Sequence, residues 1–160
     1  MKTIDLVLRT KIHNYIKNGA DISELIRGYS ISNEDFTGAV IKDFYYSGET
    51  IENTNFTRAI IGVAEEKRVY LDNARLINCS FIRTQFPGWV TCRSMRAEGC
   101  SFKGAFMAYF DYKYACFDDG CVWCDTIFSI GTERGTGATF GRTFFRELGK
   151  SWGIEVKRKE

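Results

Sequence analysis

Residues 33–61 read NEDFTGAVIKDFYYSGETIENTNFTRAII, and a large apolar or aromatic residue returns there at every fifth place: Phe36, Ile41, Tyr46, Ile51, Phe56 and Ile61. A helix repeats at about 3.6 residues and a strand at about 2.0, so neither produces this beat. A repeat this short points to a chain that coils on itself, one short side at a time. Further on, the beat continues through Leu71, Leu76, Phe81 and Phe86, with Glu66 in the one charged place. It slips by one residue at Pro87-Gly88 and resumes as Cys92, Ala97, Phe102, Met107, Tyr112, Phe117, Val122 and Ile127. Two places before the beat the residue is often small, as at Ala39, Ala59, Ala64, Ala74, Cys79, Cys100, Ala105, Ala115 and Gly120.

If four such sides close one square turn, residues about 20 apart stack along the axis. That register predicts one inward ladder of Ile41, Ile61, Phe81, Phe102 and Val122, and a second of Phe36, Phe56, Leu76, Ala97 and Phe117. A small-residue column of Ala39, Ala59, Cys79, Cys100 and Gly120 runs beside the first. Interleaved columns of unequal size can fill a narrow core at close-packed density. Glu66 on an inward beat would bury a lone carboxylate, which is costly. The charged run 62–68 is therefore expected to bulge outward as a loop.

Before the repeat, Ile4, Leu8, Ile12, Tyr15 and Ile16 fall at helical spacing, and Asn18-Gly19 supplies a stop. Asp21-Ile22-Ser23-Glu24 matches a capping box opening a short second helix. Residues 1–32 thus read as an N-terminal helical cap, since a solenoid end exposes backbone groups and apolar side chains that something must cover. The repeat body spans 33–128. Residues 129–160 read as a loop, a partial repeat and a capping or tail segment with a short helical stretch. Its apolar residues Phe144, Phe145, Leu148 and Trp152 either fold back over the open end or meet a second copy as a homodimer contact.

The 160 residues carry a net charge of +2, with 44% hydrophobic and 26% charged side chains, which suits one folded domain. Residues 34–141 hold eleven basic and fourteen acidic side chains, and the termini are mildly basic. Direct nucleic-acid binding is disfavoured by so weak a field. No run approaches about 18 apolar residues and no signal peptide is evident, so no membrane partner is expected and a cytoplasmic location is. Cys79 and Cys100 fall in the small inward place, and Cys121-x-x-Cys124 has no second pair or histidine partner. The six cysteines therefore read as free thiols rather than a metal or redox site.

Stretches such as Asp35-Phe36-Thr37-Gly38-Ala39, Asn55-Phe56-Thr57-Arg58-Ala59, Asn73-Ala74-Arg75-Leu76-Ile77 and Cys100-Ser101-Phe102-Lys103-Gly104-Ala105 resemble the pentapeptide repeat protein family. The resemblance covers about 33–128 and implies an all-β, right-handed quadrilateral β-helix, one repeat to a side. It does not by itself name a function. The best-known members mimic B-form DNA, bind type II topoisomerases and protect them from quinolones; they are usually acidic, and they dimerise through C-terminal aromatic residues. This chain lacks that acidity.

An enzyme is not expected. His13 is the single histidine and sits in the cap helix, which removes the usual general base and most zinc sites. Asp118, Asp119 and Asp125 read as turn residues. No catalytic residue, metal ligand or cofactor is assigned. Outward aromatic residues are the better prospect: Trp89 and Tyr109 fall one coil apart beyond Arg68, and Trp123 one coil beyond Lys103. Aromatic rings beside Arg or Lys make a candidate protein-binding surface. The expected function is a non-catalytic structural or protein-binding solenoid with an unidentified protein partner; the alternative is a DNA-mimicking, gyrase-binding protein.

Overall fold

A computed structural model describes residues 1–128 and the strand Thr139–Phe140. Helix α1 (Leu6–Lys17) opens on Asp5, whose carboxylate accepts the Leu8 amide at 2.8 Å, and it buries Ile12 against the coil below. Gly19, at a φ of 67°, takes the left-handed turn that ends it. The short α2 (Ser23–Ile26) follows. Asp21 accepts from both the amide and the hydroxyl of Ser23, at 3.0 and 2.6 Å, and from the Lys42 amide at 3.1 Å. The predicted capping residue thus bonds forward into its own turn and down into the first coil. Arg9 of α1 reaches Glu34 through two bonds of 2.9 and 2.7 Å, and so ties the cap to the coil a second time.

From there the chain winds as a β-solenoid of about four turns, with short parallel strands stacked side by side. Four columns of inward residues line it. The first side stacks Phe36, Phe56, Phe81, Phe102 and Trp123. The second aligns Ile41, Ile61, Phe86, Met107 and Phe128. On the third, Tyr46, Leu71, Cys92 and Tyr112 follow strands paired from Phe44–Tyr45 upward. The fourth aligns Ile51, Leu76, Ala97 and Phe117, and Phe117 pairs with Phe140. One continuous core results.

These columns correct the predicted register. Phe81 stacks over Phe56 rather than over Ile61, and Leu76 over Ile51 rather than over Phe56. The cause is the loop between Ile61 and Val69, which holds Glu66 in solvent and lengthens that coil by five residues. Every later residue therefore sits one side further round than a uniform 20-residue turn would put it. The small-residue column divides for the same reason. Ala39 and Ala59 precede Thr84 and Ala105 on the second side, while Cys79 and Cys100 continue into Cys121 on the first, and Gly120 is exposed.

A second correction concerns Val122, which is only half-buried, while Trp123 takes the inward place with 1% exposure. An extra residue at Asp118–Gly120 shifts the beat. The Asp118 carboxylate holds that corner by accepting the Gly99 and Gly120 amides, both at 3.0 Å. Ile127 is displaced outward in step, and Phe128 packs against the core. Volume is balanced locally on the fourth side, where Ala97 on the beat is small and Met95 two places earlier is large; both are buried.

Candidate binding face

Backbone pairing turns one row of each side outward. On the second side that row is Val40, Ile60, Gln85, Phe106 and Ile127, in register along the axis. Ile60 and Ile127 are 39% and 58% exposed. The first side presents Asp35, Asn55, Ser80, Ser101 and Val122 in the same way, a mostly polar row. The fourth presents Thr50, Arg75, Arg96 and Cys116, and Arg75 there is held by Glu98 through bonds of 3.0 and 3.1 Å. Of these three rows, the second side's carries the most apolar side chains among the described residues.

Its far edge carries the aromatic pair. Trp89 and Tyr109 stack with centroids 4.8 Å apart and planes 14° from parallel, and Lys67 Nζ stands 5.3 Å from the Trp89 ring. The rings are placed there by the corner Pro87-Gly88, which packs against the loop below. A Cβ on Gly88 would come within 2.1 Å of the Val63 carbonyl, and the Trp89 amide donates to the Glu66 carbonyl at 2.9 Å. Round the corner, Tyr45 and Tyr70 stack at 5.3 Å, with Arg27 5.9 Å from Tyr45.

Arg68 lies at this same corner but is engaged with its neighbours. It bonds Glu66 and, at 3.1 Å, Asp43, and those two acceptors, Glu66 first, raise its already high pKa. Lys103 lies at the opposite edge of the second side, where its carbonyl accepts the Arg83 amide at 2.8 Å. Trp123 does not belong to either edge, because it is stacked on Phe102 at 4.5 Å inside the coil. The structure thus brings Trp89 and Tyr109 together, puts Lys67 rather than Arg68 in register below Trp89, separates Lys103 and removes Trp123. Phe144, Phe145, Leu148 and Trp152 lie outside the described residues.

Sequence reasoning missed Ile60, Phe106, Arg58 and Arg83 on this face. Their signal was available: Ile60 and Phe106 immediately precede a beat residue, so strand alternation turns them outward where a polar residue is usual. Chemistry of another kind is sparse. Among the described residues no group of three His, Cys, Asp or Glu could hold a metal ion. A shallow groove of about 220 Å³ between α1 and the first coil is lined by His13, Ile16, Lys17, Asp35 and Thr37. None of the six cysteines forms a disulfide. Cys100 lies between Cys79 and Cys121, and its contacts with them, together with burial, push its pKa up.

No family model matches the chain, and no curated protein matches it. Solved structures similar to the chain at low identity include three pentapeptide-repeat or resistance proteins. HetL, a pentapeptide repeat protein involved in heterocyst differentiation regulation in the cyanobacterium Nostoc sp. strain PCC 7120, is 15% identical over 70% of this chain and 70% of its own, with a TM-score of 0.27. Rfr23, a pentapeptide repeat protein of the cyanobacterium Cyanothece 51142, is 10% identical over 70% and 87%, with a TM-score of 0.19. QnrB1, a plasmid-mediated fluoroquinolone resistance protein, is 14% identical over 81% and 90%, with a TM-score of 0.16.

Proposed function

We propose that this chain is a pentapeptide repeat protein that works without catalysis, as a solenoid presenting its second side to a partner protein. The observation that carries the reading is the outward stack of Trp89 on Tyr109 beside Lys67. Rings held by the backbone register lose little entropy on binding, and Trp and Tyr beside a cation dominate interface energetics. The interior is filled by four side-chain columns, which leaves the outer faces to do the work. Six cysteines without a disulfide suit a reducing compartment such as the cytoplasm.

The test is affinity capture from the source cell with wild-type protein and with W89A/Y109A, matched by near-ultraviolet circular dichroism. A partner retained by the first and lost from the second supports the reading. Equal retention by both, or no partner for either, refutes it.

A DNA-mimicking role would call for an acidic face, and the second side offers Arg58, Arg83 and Lys103 instead. Inhibition of gyrase supercoiling, or protection of gyrase from a quinolone, at low micromolar protein would replace our reading with that one.

A further inference from the structure

Among the described residues five arginines are ion-paired, while Arg96, the lysines and two further arginines are not. Arg9, Arg27, Arg68, Arg75 and Arg93 each sit within ion-pair reach of a carboxylate: Glu34, Glu24, Asp43, Glu98 and Asp111 respectively. Arg58, Arg83 and Lys103 have no such neighbour among the described residues, and all three are exposed. These three lie together. The Arg58 amide donates to the Ile82 carbonyl at 2.9 Å and the Arg83 amide to the Lys103 carbonyl at 2.8 Å, so they occupy successive coils at one edge of the second side. In that ladder Gly104 takes the place stacked on Arg83, so Lys103 stands one residue to the side of the column; Asp125 follows Gly104, accepts from the Cys124 thiol at 3.4 Å and is the column's single acid.

These three cations border the row of Ile60, Gln85, Phe106 and Ile127, which is apolar except at Gln85. No carboxylate lies on that row. A partner that fits must therefore bring anions along one line and apolar groups along the next.

Spacing decides its form. Successive coils are about 4.8 Å apart, so the three cations span about 10 Å. A helix laid along the solenoid axis repeats a face every 5.4 Å or so, and carboxylates at i, i+4 and i+7 span about 10.5 Å. An extended strand on that line spaces same-face residues by about 6.8 Å and is about 4 Å out of step after two intervals. We propose that the second side docks an acidic amphipathic helix of a partner protein, its carboxylates on Arg58, Arg83 and Lys103 and its apolar row on Ile60, Phe106 and Ile127. This rests on the protein-binding reading above and names the chemistry of the partner.

The probe is a fluorescein-labelled, hydrocarbon-stapled helix of about 18 residues, with Glu at i, i+4 and i+7 beside a row of Leu. A matched peptide carries Gln for each Glu. Fluorescence anisotropy is read with the full chain, with R58E/R83E/K103E and with R58N/R83N/K103Q. Arg58 and Arg83 hold φ values of 60° and 54°, a conformation that Asn tolerates, so the second variant removes charge without disturbing the corner.

The expected result is binding of the Glu peptide at least about tenfold tighter than the Gln peptide, weakened by salt and levelled in both variants. Equal binding of the two peptides, no binding of either, or an undiminished preference in the variants overturns the proposal. So does tighter binding of phosphatidylglycerol vesicles or of a short DNA duplex through the same three residues. If a cellular partner is lost with W89A/Y109A but kept by both charge variants, protein binding stands and the acidic helix falls.

Discussion

Phe56 and Phe81 stack face to face, with ring centroids 5.0 Å apart and planes 1° from parallel, although their coil is five residues longer than the one joining Phe36 to Phe56. The surplus is absorbed beyond Ile61, where the chain leaves the coil and returns at Val69. The ladder is indifferent to the excursion because only the residues inside it pack.

Deleting residues 62–66 should therefore preserve the solenoid. It joins Ile61 to Lys67-Arg68-Val69, with the spacing of Ile41-Lys42-Asp43-Phe44 one coil below. The cost is the bond from the Trp89 amide to Glu66 and the cover over Gly88, about 1–2 kcal/mol. Urea unfolding should remain a single transition; a loss of cooperativity would show that the loop organises the coil.

Phe81 is the middle ring of its column, 1% exposed, with Phe56 on one face and Phe102 on the other. Truncation to alanine leaves a cavity between two rings that the backbone ladder holds apart, at a cost of about 3–5 kcal/mol. The reverse error, Ala59→Phe, should cost about 1–3 kcal/mol by overpacking, since Ala59 is fully buried. Thermal unfolding of both measures the two sides of one packing constraint.

Glu34 has a side chain only 3% exposed and leans on Arg9, which is 38% exposed. Removing Arg9 leaves the carboxylate buried without its cation, so Arg9→Ala should lower the urea midpoint of the wild-type chain. The double variant R9A/E34L removes both charges and should recover most of that loss. Equal losses for the single and double variants would mean that the pair contributes little beyond helix packing.

Burial opposes ionisation of Asp21, but the bonds from Ser23 and Lys42 outweigh it and hold its carboxyl below the usual range. A carboxyl whose folded pKa lies below its unfolded value adds stability that is present above the unfolded pKa, about 4, and lost as pH falls through the folded one. Wild-type urea midpoints should thus fall more steeply than those of Asp21→Asn on acidification below about pH 4. Parallel curves would assign the acid sensitivity elsewhere.

Thiol reactivity should follow the columns. Cys116 is exposed, while Cys79, Cys92, Cys100 and Cys121 are buried. Burial, with Asp72 and Asp111 nearby, pushes Cys92 up, and Cys100 is pushed up by its thiol neighbours and by burial. Alkylation of native protein should mark Cys116 first, and the buried four only after unfolding. Rapid labelling of Cys79 or Cys100, or a disulfide between them in reducing extract, would contradict the stacked, reduced column.

The sequence alone determined that the chain coils, which face turns inward on most sides, and that a helix precedes the coil. Those properties belong to consecutive residues: the size at each fifth place, the alternation around it and the helical spacing of Ile4, Leu8, Ile12 and Ile16. Which coil stacks on which was decided only by the tertiary structure. A five-residue excursion at 62–66 keeps a five-residue beat in phase while moving every later column one side round, so no count along the chain detects it. The single extra residue near Asp118 is hidden for a related reason. Val122 and Trp123 are both apolar, and only the Asp118 carboxylate on the Gly99 and Gly120 amides selects which of them enters the core. The proposed binding face depends on that same stacking, because Arg58, Arg83 and Lys103 become neighbours only when the longer coil between the first two is closed.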